Sequence, residues 1–405
     1  MIAIVGGTYR ERCAEPRRDD LYGSGGRAAA ALSALDTNVT LHTARPRQAW
    51  GDLRALAATF GFKVEAHDAP HTVEFAYFHP LSVPDIVPPL HQLRSAEPFE
   101  VHAESVLRFG MLEADPVVRG ERVVYDPHDV RAPRHYHANG SSASRLAYVL
   151  NRAEARQLAP HAPHDDPEAL ARTVARDGRV DVVVIKLGAQ GALVLDEAGG
   201  VTSVPAYRTP SVWPIGSGDV FSAVFAYHWA VAGLPAVDAA RQASLSTAYA
   251  YHQLSLPVPA DLPQDTSPKV RVGPQAHRIK QVYLAGPFFT MGKRWVVGQA
   301  LVALRAAGFK VFSPLHDVGH GPAEDVVEKD LRGLDESDLV FAVIDGLDAG
   351  TLFEFGYAHA RRKPVGAFVQ NESAENMKML RGSSCVIESD FASAVYAAVW
   401  EGLAQ

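Results

Sequence analysis

Residues 338–358 read DLVFAVIDGLDAGTLFEFGYA, and this stretch decides how the last third of the chain folds. Its apolar run, residues 339–344, predicts a buried strand. A loop with two carboxylates, Asp345 and Asp348, follows the strand, and a helix at residues 351–361 with Glu354 in its first turn is predicted next. A buried strand that passes through a short loop into a helix is the repeating unit of α/β folds with a parallel sheet.

The same alternation continues on both sides of this stretch. The sequence predicts a first strand at residues 281–287, a helix at residues 295–307 that stops at Gly308, a polar helix at residues 328–335 and a further strand at residues 364–369. Such elements form a compact doubly wound sheet. Ligands of these sheets bind at the carboxyl ends of the strands, so the loop after residue 344 is the predicted site.

The chain has 405 residues, more than one hydrophobic core usually holds, so two domains are expected. Four prolines fall between Leu256 and Pro268, a composition typical of a linker. We therefore predict an N-terminal domain at residues 1–258, a linker at residues 259–277 and a C-terminal domain at residues 278–405. Both domains are predicted to be α/β: the first a larger doubly wound sheet, the second a smaller flavodoxin-like parallel sheet.

The formal net charge is −7, and no long basic run occurs. Binders of polymeric nucleic acid normally carry a basic patch, so we expect small-molecule partners only. The first apolar run is too short for a signal peptide, and no run reaches the length of a membrane span, which predicts a cytoplasmic protein without membrane contact. Seventeen histidines and two cysteines occur without the spacing of a metal site, so none is predicted among them.

Glu354 is the first candidate catalytic residue. The N-terminus of a helix favours an ionised carboxylate by about 0.3 to 1 kcal/mol at exposed sites, and a nucleophile that attacks a sugar carbon must be ionised. A first-turn acid that only complements the helix dipole is common, so its neighbours matter. YLAGPFF at residues 283–289, Asp338, and D-x-x-D-x-G-T-x-x-E at residues 345–354 together resemble the nucleoside 2-deoxyribosyltransferase family over nearly all of residues 280–370.

The resemblance implies a role for each matching residue. Glu354 would attack C1′ of the sugar to give a covalent deoxyribosyl ester, and Tyr283 would hold its carboxylate through a hydrogen bond. Asp338 would pass a proton to the departing base, and Asp348 would contact the 5′ end of the sugar. The mechanism resembles retaining glycoside hydrolysis, in which a second base as acceptor gives transfer and water gives hydrolysis. No cofactor is implied for this domain.

Gly286 and Asp345, at the ends of the two strands, are further substrate-binding candidates. The family usually adds an Asn-x-Met-like segment from a neighbouring subunit, and residues 376–379 (NMKM) lie in the matching region. Met379 would then pack against the base in a homo-oligomer, although a core methionine is an equal alternative. The carboxylate of Asp348 would accept a hydrogen bond from a free 5′-hydroxyl and repel a phosphate, which predicts nucleosides and not monophosphates as substrates.

The N-terminal half contains PIGSGDVFS at residues 214–222, a glycine turn that leads into a helix. Backbone N–H groups in such a turn stabilise the negative charge of phosphoryl transfer, and a nearby carboxylate can take the proton of the attacking hydroxyl. DPHDVR at residues 126–131, NRAE at residues 151–154 and KLGAQGA at residues 186–192 precede it. With these four stretches in order, residues 1–258 resemble the ribokinase-like (PfkB) family of sugar and nucleoside kinases.

This second resemblance implies a kinase that uses ATP and Mg²⁺. Asp219 would be the base for the attacking hydroxyl. The residues implied to bind phosphate or nucleotide are Gly216, Ser217, Gly218, Asn151, Glu154, Lys186, Gly188 and Gly191. None of them is implied to ligate a metal directly, and Glu154 would act on Mg²⁺ through water.

The sugar-binding side of the N-terminal half departs from the family pattern. Ala30 stands where an asparagine usually contacts sugar hydroxyls, Glu11 stands where an aspartate is expected, and Trp213-Pro214 replaces Asp-Thr before the glycine turn. The residues for phosphoryl transfer are retained while those for recognition are changed, which predicts a kinase with an unusual acceptor. A degenerate domain that binds ligand or mediates assembly is the alternative.

The combination predicts a bifunctional nucleoside-processing enzyme. Its C-terminal domain would cleave or exchange the N-glycosidic bond of (2-deoxy)ribonucleosides, and its N-terminal domain would phosphorylate a nucleoside or the released sugar. Nucleosides, free bases and sugars would be its partners. One alternative is a ligand-sensing or scaffold protein whose kinase-like domain binds nucleotide without catalysis and regulates an N-glycosidase. Another is a hydrolase that destroys nucleosides, with transfer as a side reaction.

Overall fold

The computed structural model describes residues 1–36, 38–129, 132–262, 279–383 and 385–403. The described residues form two compact units, one drawn from Met1–Thr209 and Pro214–Lys269 and the other from Pro210–Trp213 and Val270–Gln405. Most of the predicted linker, and Arg131 in the predicted phosphate-site stretch, lie outside the described residues. The domain boundaries 1–258 and 278–405 therefore stay a prediction.

The first unit is built on a nine-stranded mixed sheet and a four-stranded sheet within the described residues. Its strands are β1 (Ile2–Val5), β2 (Arg10–Cys13), β3 (Arg18–Leu21), β4 (Val39–Ala44), β5 (Lys63–His67), β6 (Glu74–Tyr77), β7 (Asp85–Val87), β8 (Glu100–Phe109), β9 (Val117–Asp126), β10 (Ser142–Asn151), β11 (Val182–Lys186), β12 (Ala192–Leu195) and β13 (Val201–Val204). Its helices are α1 (Gly23–Leu32), α2 (Trp50–Phe60), α3 (Arg152–Leu158), α4 (Pro167–Gly178), α5 (Ser217–Ala226) and α6 (Ala236–Gln253).

The large sheet has the strand order β13-β12-β11-β10-β9-β8-β1-β4-β5. The strands from β11 to β5 run parallel, and β12 and β13 pair antiparallel at one edge. One apolar core joins the sheet to α1, α2, α5 and α6, and a second core joins its other face to α3 and α4. Helices on both faces of a mostly parallel sheet confirm the predicted doubly wound architecture, and they direct the carboxyl ends of β9, β10 and β11 to one edge.

The second unit contains one five-stranded, all-parallel sheet within the described residues. Its strands are β14 (Gln281–Ala285), β15 (Lys310–Phe312), β16 (Leu339–Val343), β17 (Val365–Phe368) and β18 (Val386–Glu388), and its helices are α7 (Met291–Ala306), α8 (Ala323–Glu336), α9 (Ala349–Ala360), α10 (Lys378–Arg381) and α11 (Phe391–Leu403). The order β15-β14-β16-β17-β18 is the flavodoxin-like order 2-1-3-4-5, as predicted. The direction of winding reverses between β14 and β16, where such sheets bind ligands.

Helix α9 begins earlier than the sequence predicts. The side chain of Asp348 caps its N-terminus by accepting a hydrogen bond from the Thr351 N–H, so the first helical residue is Ala349. Glu354 is consequently the sixth residue of α9 and lies in its second turn, which corrects its predicted place in the first turn. Helix α7 also begins four residues before its predicted start at residue 295, because Thr290 caps it through the Lys293 N–H.

No helix among the described residues is long and apolar enough to cross a membrane. Helices pack on the nine-stranded and the five-stranded sheets through their buried apolar residues. In the second unit, Tyr283 and Val340 point to the core under α8 and α9, and the intervening residues of the strands point to the opposite face, where α7 and α11 pack.

Gly25, in the first turn of α1, allows α1 to approach the end of β1. A Cβ atom at this position would lie 2.6 Å from the carbonyl carbon and oxygen of Gly6, which are backbone atoms that cannot rotate away. We predict that Gly25→Ala lowers the free energy of unfolding by roughly 1 to 3 kcal/mol, as expected for overpacking. Chemical denaturation monitored by circular dichroism measures this change.

Gly51 provides the matched control. It lies in α2, and a Cβ atom there would have no neighbour within 4 Å. Gly51→Ala should leave the stability unchanged or raise it by up to about 1 kcal/mol, because alanine favours the helix more than glycine does. Equal effects of the two substitutions would contradict the proposed backbone contact between α1 and β1.

Candidate active sites

The first candidate site lies at the reversal point of the second unit. Tyr283 on β14 is fully buried, and its hydroxyl donates a 2.6 Å hydrogen bond to Oε1 of Glu354 on α9. The tyrosine ring stacks against Phe312 on β15, with the ring centroids 5.5 Å apart. A packed ring cannot swing away, so this contact holds one Glu354 oxygen and leaves the other available.

Asp348 fixes the start of the helix that carries Glu354. Its Oδ2 accepts hydrogen bonds from the backbone N–H of Thr351 at 2.9 Å and from the Thr351 hydroxyl at 3.0 Å. One carboxylate oxygen is therefore used for the helix cap. Oδ1 of Asp348 takes no part in the cap and is available to a ligand at this edge of the sheet.

The environment of Glu354 raises its pKa to about 7. Burial is the largest cause, because it disfavours the charged carboxylate, and the nearby carboxylates of Asp330 and Asp348 add to it. The hydrogen bond from Tyr283 acts in the opposite direction. A carboxylate that titrates near neutral pH is ionised in a large fraction of molecules, yet it is not stabilised so strongly that it loses its nucleophilicity.

The structure places Asp338 away from Glu354. Its Oδ2 accepts hydrogen bonds from the backbone N–H groups of Lys280 at 2.7 Å and Gln281 at 3.1 Å, just before β14 and β16 begin. In a parallel sheet this is the amino edge, whereas the loop with Asp348 lies at the carboxyl edge. The expected proton-transfer role of Asp338 therefore has no geometric support, and its carboxylate instead joins the starts of two strands.

Asp330 on α8 is the acid that sequence reasoning missed. Its Oδ1 is buried and has no hydrogen-bond partner among the described residues, and burial raises its pKa. After burial and the Tyr283 hydrogen bond, the carboxylate of Asp330 has the next largest effect on the pKa of Glu354. The sequence does contain a sign that Asp330 faces inward. Asp330 stands four residues before the buried Leu334, and residues four apart lie on the same face of a helix.

The remaining predicted residues of this site have different surroundings. Gly286 follows β14 where α7 approaches, and a Cβ atom there would lie 2.6 Å from Val297 Cγ2. The carboxylate of Asp345 accepts hydrogen bonds of 2.8 to 3.1 Å from the N–H groups of Gln370 and Asn371, so it joins two loops at the carboxyl edge.

Two methionines near the C-terminal end of the second unit have opposite environments. Met377 belongs to the core, whereas Met379 on α10 is 84% exposed. The core alternative weighed for Met379 therefore does not apply. Its predicted contact with the base, in its own or in a neighbouring subunit, stays a prediction.

The second candidate site lies in the first unit, where β9, β10 and β11 end beside α5. Asp126, Asn151 and Lys186 are the last residues of these three strands. Lys186 Nζ lies 2.6 Å from Oδ2 of Asp126, and the Ser222 hydroxyl of α5 donates to the same oxygen at 2.7 Å. Buried charges must be paired, and this contact connects the strand ends to the helix.

Asp219 stands in the first turn of α5, directly after the predicted glycine turn. Gly216 is the cap residue with φ +78°, a conformation that favours glycine, and Ser217 and Gly218 follow it. Asp219 is 3% exposed, and burial raises the pKa of its carboxyl group. Arg27 Nε lies 3.4 Å from Asp219 Oδ2 and packs against Gly216. The structure thus brings the predicted base, the turn and a cation together.

Asn151 and Glu154 form a capping box at the start of α3. Asn151 Oδ1 accepts from the Glu154 N–H at 2.9 Å, and Glu154 Oε2 accepts from the Asn151 N–H at 2.7 Å. Glu154 is 6% exposed, and its pKa is raised to about 7, mainly by burial and next by Asp126. Its Oε1 takes no part in the cap, which fits an indirect, water-mediated role toward Mg²⁺.

Gly188 and Gly191 shape the turn between β11 and β12, with φ angles of +60° and +85°. A Cβ atom on Gly191 would lie 2.1 Å from the carbonyl oxygen of Val204, so this position packs directly on β13. Within the described residues, no group of three or more histidine, cysteine or acidic side chains is placed to hold a metal ion.

The first unit contains two further buried pairs that sequence reasoning did not identify. Glu11 on β2 accepts a hydrogen bond from Arg27, and burial raises the pKa of Glu11 to about 7. Glu113 accepts a 2.6 Å hydrogen bond from the Tyr9 hydroxyl, and its other oxygen is buried without a partner among the described residues. Glu11 is therefore paired with Arg27. A glutamate that simply replaced the expected aspartate would instead be free to bind a ligand.

Two family models match the chain. Residues 282–389 match the family described as nucleoside 2-deoxyribosyltransferase, and residues 144–256 match the pfkB family of carbohydrate kinases. Both resemblances predicted from the sequence are thereby confirmed, and each match spans less than half of the chain. No curated protein matches the chain in sequence.

Several solved structures resemble the first unit at low identity. A pyrophosphate-dependent kinase of the ribokinase family, in complex with a pyrophosphate analogue and myo-inositol, is 17% identical with a TM-score of 0.46, over 64% of this chain and 97% of that one. A ribokinase from Arabidopsis thaliana with ribose and ATP is 16% identical with a TM-score of 0.47, over 64% and 94%. A ribokinase from Giardia lamblia is 14% identical with a TM-score of 0.46, over 62% and 93%.

The raised pKa of Glu354 predicts that two substitutions shift the pH dependence of kcat/KM in opposite directions. A Glu354 that acts as the nucleophile predicted from the sequence must be ionised, so kcat/KM for release of a base should rise as the pH rises through about 7. Tyr283→Phe removes a hydrogen bond that lowers the pKa of Glu354, so this limb should move to higher pH. Asp348→Asn removes a negative neighbour, keeps a residue that can cap α9, and should move the limb to lower pH. Shifts of the same sign in both variants, measured between pH 5 and 9, would contradict this electrostatic account.

Proposed function

We propose that the second unit breaks the N-glycosidic bond of nucleosides, with Glu354 as the covalent nucleophile. The observation that carries this proposal is the 2.6 Å hydrogen bond from buried Tyr283 to one Glu354 oxygen, at the reversal point of a flavodoxin-like sheet. The family match to residues 282–389 supports it. The free Glu354 oxygen attacks C1′, and the C1′–N bond breaks with its electron pair moving to the base.

Asp330 replaces Asp338 as the proton donor in this proposal. Burial keeps its carboxyl group protonated to higher pH than an exposed aspartate, and its unpartnered Oδ1 is free to reach a ring nitrogen. The departing base takes this proton and leaves as a neutral molecule. A second displacement at C1′ by water gives the free sugar, and one by another base gives a new nucleoside.

The first test compares release of free base by the wild type, Glu354→Gln and a control, Glu324→Gln. Loss of the nucleophile should lower the rate at least about 1,000-fold, because covalent catalysis is abolished. Glu324 is an exposed residue at the start of α8, so its substitution should leave the rate unchanged. Wild-type rates in Glu354→Gln would refute the assignment, and chromatography with and without an acceptor base separates transfer from hydrolysis.

We further propose that the substrate is a nucleoside with a free 5′-hydroxyl. Asp348 presents a carboxylate at the start of α9, and its second oxygen remains after the cap is formed. A 5′-phosphate beside this carboxylate would be repelled. A deoxynucleoside should therefore be turned over at least about tenfold faster than its 5′-monophosphate, and Asp348→Asn should reduce this preference. Comparable turnover of the two compounds would contradict the proposal.

We infer that the first unit is an ATP-dependent kinase that acts on a nucleoside or on the sugar released by the second unit. Asp219 beside the Gly216 turn is the base, and the match of residues 144–256 to carbohydrate kinases supports this. Magnesium would neutralise charge on the donor phosphates, held through water near Glu154. Lys186 adds a positive charge at the same strand ends.

An alternative, in which this unit only binds nucleotide and regulates the second unit, is favoured by the pairing of Glu11 with Arg27. Formation of ADP decides between them, with ribose, 2-deoxyribose, nucleosides and deoxynucleosides as acceptors. Asp219→Asn should lower turnover about 10²- to 10⁴-fold, as loss of a general base does, whereas exposed Asp165→Asn should not. If no acceptor stimulates ADP formation, the kinase assignment fails.

A further inference from the structure

His128 follows β9 in the turn beside the phosphoryl-transfer site. Its backbone φ is +42°, in the left-handed region that residues other than glycine rarely adopt. This conformation costs energy, so the surroundings must hold the side chain where it is.

The imidazole of His128 faces two carboxylates from different elements. Its Nδ1 lies 3.7 Å from Oδ1 of Asp219 on α5 and 3.9 Å from Oδ1 of Asp126 on β9. Both of these oxygens are buried, and neither has a hydrogen-bond partner among the described residues. Buried carboxylate oxygens require a donor or a positive charge, and Nδ1 of His128 lies within 4 Å of both.

The charges that surround His128 favour its protonated form. The His128 side chain is 46% exposed. Its partial removal from water lowers its pKa, but the carboxylates of Asp219, Asp126 and Glu154 raise it by more, against a smaller opposing effect of Lys186, so that the pKa is raised overall. Glu11 on β2 also interacts electrostatically with His128. The ring of Phe109 on β8, which carries no charge, meets the imidazole edge to face with the ring centroids 6.1 Å apart.

The effect on Asp219 is complementary. Burial makes its carboxyl group harder to ionise, while the positive charges of His128 and Arg27, which lie on different sides of it, favour the carboxylate. A general base must be ionised before it can take a proton. Asp126 is already bonded through Oδ2 to Lys186 and Ser222, so His128 is its only described contact on the Oδ1 side.

We propose that His128 is a positioning residue that, as an imidazolium, bridges Asp219 and Asp126 and holds Asp219 ionised and oriented toward the acceptor hydroxyl. The proposal rests on the proposed kinase function of this unit. It makes phosphoryl transfer depend on a histidine: the bridge is complete below the pKa of His128 and is lost as the pH rises through it. The distance of Asp219 from the acceptor then becomes less well fixed, which lowers kcat without changing the nucleotide site.

The first experiment requires no turnover. Imidazole NMR titrations of the full-length protein identify the His128 signal by its absence in His128→Asn. We expect this signal to titrate above the ordinary histidine range and its pKa to fall in Asp219→Asn, whereas Asp165→Asn leaves it unchanged. Titration of His128 in the ordinary range, with no response to Asp219→Asn, would overturn the proposal.

The second experiment uses an acceptor that supports ADP formation. His128→Ala should lower kcat about 10- to 100-fold with KM for ATP within twofold, as expected from a misplaced catalytic group. His128→Asn keeps an N–H donor near the Nδ1 position, so it should recover part of kcat and lose the decline at high pH. His164→Asn, at an exposed position, is the control.

The two experiments distinguish failure of the positioning role of His128 from failure of the proposed kinase function. Unchanged kcat and pH profile in both His128 variants would overturn the positioning role while leaving the kinase intact. If no acceptor supports turnover, the kinase proposal fails by itself, and the NMR titration still decides whether the bridge from His128 to Asp219 exists.

Discussion

The hydrogen bond between Tyr283 and Glu354 is the interaction on which the second unit depends. A carboxylate that is largely removed from water needs a donor, and the tyrosine hydroxyl reaches it from the middle of the sheet at 2.6 Å. Because Tyr283 is packed against Phe312, the donor cannot follow Glu354 if α9 moves. The strand order, the Asp348 cap and the position of α8 bring the carboxyl groups of Asp348 and Asp330 close enough to Glu354 to raise its pKa.

The first unit satisfies the same constraint with a larger set of charges. Asp219, Asp126, Glu154 and Glu11 are acids in or beside one site, and Arg27, Lys186 and His128 are the cations that face them. Burial raises the pKa of Asp219, Glu154 and Glu11, and contacts with cations or a backbone N–H group act in the opposite direction. These acids and cations come from β2, β9, β11, α1, α3, α5 and the turn after β9, which explains why the short motifs of the site are widely separated in sequence.

Much of this arrangement follows from sequence. The apolar runs predict the strands at residues 281–285 and 339–343 almost to the residue, because both are buried on two faces. Glu354 and Tyr283 are found together because a strand end and the next helix of a parallel sheet share one edge. The start of α9 was misplaced by the apolar pattern, since the cap is made by the polar residue Asp348.

The proton donor could not be identified in the same way. Asp338 and Asp330 both precede β16. Only the structure shows that Asp338 joins the starts of two strands, whereas Asp330 lies on α8 and acts on the pKa of Glu354. Glu11 and Arg27 lie sixteen positions apart, and neither residue type predicts the pairing that removes Glu11 from the acceptor side. Such contacts depend on tertiary packing, and no local pattern encodes them.

The central claim is that the sugar is transferred to Glu354. Incubation with a 2-fluoro-deoxynucleoside, in which fluorine slows the second displacement, followed by intact-mass measurement and peptide mapping, tests it most directly. The account predicts a fluorodeoxyribosyl adduct on the peptide that contains Glu354, with no adduct in Glu354→Gln. An adduct on any other residue, in the wild type or in Glu354→Gln, would contradict it.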